Sequence, residues 1–115
     1  MKKKDVVKEN RDFQDIIKTG NLRKDKNLVI YYKENNINKS RFGISVGKKV
    51  GNAVTRNLYK RRLRNIIDDN KKLCSNSKDY IIIVKKNCLE TSYQEIENSF
   101  KRLILNSNKG DNNEK

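Results

Sequence analysis

The stretch RFGISVGKKVGNAVTRNLYKRRLRNIIDDN, residues 41–70, decides the fold, because its hydrophobic period changes partway along. Phe42, Ile44 and Val46 alternate, which predicts a strand over Arg41 to Val46. Gly47 and Gly51 punctuate a loop. Beyond it Tyr59, Leu63, Ile66 and Ile67 share one side at 3.6 residues per turn, which predicts a long helix from about Asn52 to about Asn70. After a turn at Cys74 to Lys78, the run Tyr80 to Val84 is apolar throughout and reads as a strand buried on both faces. A long helix between two strands is a crossover connection.

Working outward, Asn10 to Thr19 predicts a short helix with Asn10 as its cap. Phe13, Ile16 and Ile17 form its apolar side, and Gly20 stands where a helix end takes a left-handed residue. Leu28 to Tyr32 is a β-branched and aromatic run, hence a strand, and the Asn-rich segment 35–38 is a loop. Thr91 or Ser92 caps a last helix with an apolar stripe of Tyr93, Ile96, Phe100, Leu103 and Ile104. The order is helix, strand, strand, helix, strand, helix, with one extra short strand allowed for. That order predicts an α+β fold, an α/β sandwich on a mixed sheet. Residues 1–106 are read as one domain, and the polar segment 107–115 as a disordered tail.

The chain carries 28 Lys and Arg against 14 Asp and Glu, a formal net charge of +14 in 115 residues. Such self-repulsion implies a polyanionic partner, either nucleic acid or an anionic membrane surface. The excess is local. From Asn35 to Ile67 there is no acid, yet nine basic residues: Lys39, Arg41, Lys48, Lys49, Arg56, Lys60, Arg61, Arg62 and Arg64. On the predicted helix Asn57, Lys60, Arg61 and Arg64 share the side opposite the apolar stripe, with Arg56 at its border. Like charges stacked this way cost helix stability, whereas an ordinary solvated face mixes signs. Arg forks suit phosphate, Asn57 suits a phosphate, base or sugar edge, and the helix start near Asn52 adds backbone N–H groups beside Lys48 and Lys49.

Other function classes fit less well. Gly43, Gly47 and Lys48 lack phosphate-loop spacing, and Lys49 stands where Ser or Thr is needed. A membrane-surface helix would need the apolar face that the core requires, and no run of about eighteen apolar residues could span a bilayer. Duplex DNA recognition remains open on charge alone. The sequence has no His, and its two cysteines, Cys74 and Cys88, lack zinc-site spacing, so two reduced thiols are expected. Met1-Lys2-Lys3-Lys4 is followed by no apolar signal core, so a cytoplasmic location is expected. The adjacent Asp68 and Asp69 diverge by about 100° on a helix and do not make a metal pair. No catalytic group is therefore expected on the chain.

Gly51-Asn52-Ala53-Val54-Thr55-Arg56-Asn57, then Lys60-Arg61 and Arg64, closely resembles the motif of the bacterial ribonuclease P protein subunit. The preceding Arg41 to Val50 matches too, as do Asp12-Phe13 with Gly20, Leu28 to Tyr31, and Asp79 to Val84. The resemblance covers about residues 5 to 105. It implies three helices around a mixed sheet of about four strands, with a left-handed crossover at the basic helix. It implies that a catalytic RNA carries the chemistry with Mg²⁺, hydrolysing the phosphodiester at the 5′ end of mature tRNA. The protein would bind that RNA through Lys48, Lys49, Asn52, Arg56, Asn57, Lys60, Arg61 and Arg64. It would grip the precursor's 5′ leader in a cleft at Phe13, Ile17 and Tyr31, with no further protein partner and no membrane. Two positions depart from the family pattern: Leu58 stands where Arg is usual, and Ile17 where a second aromatic is frequent.

Overall fold

The computed structural model describes residues 6–7 and 10–108. Helix α1 spans Asn10–Thr19, and strands β1, β2 and β3 span Asn21–Lys24, Leu28–Glu34 and Arg41–Val46. Helix α2 spans Ala53–Asp69, β4 Lys78–Val84 and α3 Tyr93–Asn108, with short 3-10 turns at Lys71–Leu73 and Lys86–Glu90. The sheet order is β1-β2-β4-β3. β2 pairs antiparallel with β1 and β4, while β3 and β4 are parallel and joined through α2. The expected α+β class and mixed sheet are present, and the extra strand is β1. Asn10 is the first helical residue of α1, while its side chain and residues 109–115 of the expected tail lie outside what is described.

The period-two alternation of β2 and β3 sorts their side chains onto two unequal faces. Leu28, Ile30, Tyr32, Phe42, Val46, Tyr80, Ile82 and Val84 face one way and pack against the apolar sides of α2 and α3. These side chains are nearly all removed from water, each worth about 1.5–3 kcal/mol. The Phe42 and Tyr80 rings stack at 5.4 Å across β3 and β4. The other face carries a smaller cluster of Val7, Ile16 and Ile81 under α1. β4 is inner and covered on both faces, which is why its sequence lacks alternation.

Three expectations change. Gly20 adopts no left-handed conformation. A Cβ there would lie 2.5 Å from the Ile16 carbonyl oxygen and 2.7 Å from that of Tyr32, so glycine answers a close backbone approach. Helix α3 runs two residues past the expected domain end: Ser107 is fully buried, and its hydroxyl donates to the Ile104 carbonyl at 2.7 Å. Tyr93 lies at the rim of the α3 stripe and is exposed. Ser92, not Thr91, caps that helix, its hydroxyl accepting from the Glu95 N–H at 3.2 Å.

Arg41 is tied inward. Its guanidinium makes a two-pronged contact with Asp79, Nε to Oδ1 at 2.8 Å and Nη2 to Oδ2 at 2.6 Å, across the parallel β3–β4 register. Asn35 Nδ2 donates to the same carboxylate at 2.7 Å. One of the nine cations of the acid-free stretch is thus neutralised within the fold. Both cysteines are buried and free, and burial pushes their pKa up, to about 12 for Cys74 and about 11 for Cys88.

Candidate nucleic-acid interface

The basic surface begins where β3 ends. The loop after Val46 turns with the Val50 N–H donating to the Gly47 carbonyl at 3.0 Å. Val50 is buried and anchors the loop, which leaves Lys48 and Lys49 exposed. Asn52 then starts α2: its Oδ1 accepts from the Thr55 N–H at 3.0 Å, satisfying one of the helix's free donors. Asn52→Ala is expected to cost about 1 kcal/mol of stability. Asn52→Asp should keep the cap while setting a negative charge beside Lys49. Thermal unfolding and RNA titration of the two variants separate the cap from any contact.

Along α2, Tyr59, Leu63, Ile66 and Ile67 are buried as the period predicts. Asn57, Arg61 and Arg64 are exposed, and Lys60 is half-buried beside them. Among the described residues, no acidic side chain lies within ion-pair distance of Lys48, Lys49, Lys60, Arg61 or Arg64. Arg56 is partly committed elsewhere, its Nε donating to the Gly51 carbonyl at 3.1 Å. Arg62 does not join the face: its guanidinium lies 5.1 Å from the centre of the Tyr59 ring, where the quadrupole holds it. Leu58 is partly buried and packs against the core, so the departure from the family pattern buries apolar surface at the helix margin. At 100° per residue Asp68 falls on the same side as Arg61 and Arg64, so the cationic stripe ends within its own helix.

Sequence reasoning passes over two further cations. Lys85 and Lys86 follow β4 directly and stand across from Lys48 and Lys49, at the carboxyl ends of the two parallel strands. The two lysine pairs flank a cleft of about 510 Å³ floored by Val50, Ile83 and Val84. The signal was available: ligands of α/β sheets gather outside the carboxyl ends of parallel strands. The Lys85 turn is held by Asn27, whose carbonyl accepts from the Lys85 N–H at 2.9 Å. The Lys85 ammonium is partly committed, donating to the Asp25 carbonyl at 2.9 Å, so Lys86 is the exposed cation of the pair. Asn27 is buried, its Nδ2 donates to Ser99 Oγ at 2.9 Å, and its Oδ1 accepts from Asn87 Nδ2 at 2.7 Å.

On the opposite face of the sheet the structure brings Phe13, Ile17 and Tyr31 together with Ile83. All are partly buried against Val7, Ile16 and Ile81. Tyr31 and its neighbour Tyr32 point to opposite faces, and Tyr32 is buried in the core between Arg23 at 5.7 Å and Lys78 at 4.9 Å from its ring. Among the described residues there is no group of three or more Cys, Asp or Glu placed to hold a metal ion. No described helix is long and apolar enough to cross a membrane.

Comparison with known proteins identifies the family and the fold. The family model described as Ribonuclease P matches residues 1–107. A ribonuclease P protein component of Mycoplasma mycoides subsp. mycoides SC is 44% identical over 105 residues, covering 90% of this chain and 96% of the relative. The ribonuclease P protein of Staphylococcus aureus superposes with a TM-score of 0.80 at 35% identity, over 90% of this chain and 94% of that one. The Thermotoga maritima protein does so with a TM-score of 0.81 at 27% identity, over 88% and 96%. The matching family model, the similar sequences and the shared fold place the chain in the ribonuclease P family, as its protein component.

Proposed function

We propose that the exposed face of α2 and the loop before it hold the catalytic RNA, and that the Phe13 side of the sheet holds the 5′ leader of precursor tRNA. The observation that carries this is the set of cations at Lys48, Lys49, Lys60, Arg61 and Arg64, which have no acid partner among the described residues. Their mutual repulsion is offset when phosphates bind. Asn52, Arg56 and Asn57 complete the RNA-facing set. Phe13 and Tyr31 offer ring faces to unstacked leader bases, with Ile17 as an aliphatic neighbour. The cleft between Lys48–Lys49 and Lys85–Lys86 adjoins the Ile83 end of that face and continues the track for the leader backbone. The RNA subunit supplies the chemistry and holds the Mg²⁺; the protein raises the local affinity for both RNA chains. No step needs a catalytic group on the protein.

The test is cleavage of precursor tRNA at low Mg²⁺ with protein, RNA subunit, or both. Only the mixture is expected to release the leader. Cleavage by protein stripped of RNA would overturn the division of labour. A general RNA-binding protein would bind precursor and mature tRNA alike, and duplex DNA competing on equal terms would mark a DNA-binding protein.

A further inference from the structure

The floor of the leader face contains a glycine inside a strand, where glycine costs chain entropy and contributes no packing. Gly43 is buried in β3, in register with Ile81 of β4. A Cβ built on it would lie 2.9 Å from Ile81 Cδ1, 3.0 Å from Phe13 Cε2 and 3.4 Å from Phe13 Cδ2. The edge of the Phe13 ring therefore rests on the bare backbone of β3. We propose that Gly43 is a positioning residue for the leader site, its missing side chain letting the Phe13 ring lie down on the sheet beside Tyr31. This rests on the reading of Phe13 and Tyr31 as the leader-binding face.

Which neighbour yields to an added methyl group follows from burial. Ile81 is fully buried in the cluster with Val7 and Ile16, whereas Phe13 is only partly buried. The ring retains part of its surface in solvent and the isoleucine none, so alanine at this position lifts the ring off β3. A lifted ring changes the plane offered to a base. The residue thus sets the height of an aromatic wall without touching the leader.

The experiment is a double-mutant cycle read on the assembled ribonucleoprotein. Affinities for precursor and mature tRNA are measured for the wild type, Gly43→Ala, Phe13→Ala and the double variant. Gly43→Ala is expected to weaken precursor binding by about fivefold, within the range of one base–aromatic stack, and to leave mature tRNA binding unchanged. The double variant should bind precursor no more weakly than Phe13→Ala, because the methyl group then has no ring to displace. Wild-type affinity in Gly43→Ala, or losses that simply add, would overturn the proposal while leaving the leader reading intact. If Phe13→Ala itself leaves precursor affinity unchanged, the leader reading fails and the proposal falls with it. If Gly43→Ala does not fold, the double variant decides: folding with the affinity of Phe13→Ala supports the ring as the group the methyl displaces, and misfolding overturns it.

Discussion

Replacement of Asp79 by alanine is expected to lower the unfolding free energy by about 3–5 kcal/mol, a large share of the total for a small domain. The reason is what stays behind. Asp79 receives both prongs of the Arg41 guanidinium and the Asn35 amide. The Arg41 side chain is only 23% exposed. Without the carboxylate, that charge sits on the sheet with Asp12 Oδ2, 4.0 Å away, as its nearest acid. Urea unfolding followed by circular dichroism measures the loss. Replacing both partners together, Arg41→Met with Asp79→Leu, should cost much less, since no unpaired charge is left. A loss under about 1 kcal/mol in Asp79→Ala would mean that water reaches Arg41 and the pair behaves as a surface contact.

The second large effect is on RNA binding and its salt dependence. Neutralising about six phosphates gives a slope of log affinity against log salt near −4 to −5, so affinity should fall by a few hundredfold or more between roughly 50 and 200 mM salt. Arg61→Ala and Arg64→Ala should each weaken binding by about 1–3 kcal/mol and flatten the slope by about 1. Arg62→Ala provides the internal contrast. Its guanidinium is engaged with the Tyr59 ring, so its removal should change the slope least. Filter binding across a salt series reads all three. A flat salt response in the wild type would place the RNA contact elsewhere than on α2.

Where a single period governs a segment, the sequence was legible. α2 and α3 announce themselves by apolar stripes, β3 by alternation, and the inner position of β4 by the lack of it. β1 has no such mark. Its residues Asn21, Leu22 and Lys24 are exposed, and it is a strand only because β2 offers a hydrogen-bonding edge. Gly20 was visible as a helix stop, but its cause was not fully so, because one of the two carbonyls a Cβ would strike belongs to Tyr32, twelve positions away. The site was legible to the same degree. The acid-free stretch marked α2, yet charge counting could not see that Asp79, 38 residues on, cancels Arg41. Lys85 and Lys86 were hidden by their isolation in sequence. They join the surface only because β3 and β4 run parallel and end together.

The strand order carries a consequence for synthesis of the chain. β4 lies between β2 and β3, which share no pairing of their own. A nascent polypeptide that ends before Lys78 therefore holds β1 and β2 as a lone hairpin and β3 as an unpaired strand, both marginal in water. The apolar side of α2 has no assembled sheet to cover it at that stage. Only when the ribosome has released the last inner strand can these pieces close together, and α3 then seals the same face. Assembly of the sheet is thus a nearly single event that waits for β4. The basic helix acquires its fixed geometry only once β4 has emerged to pair with β3.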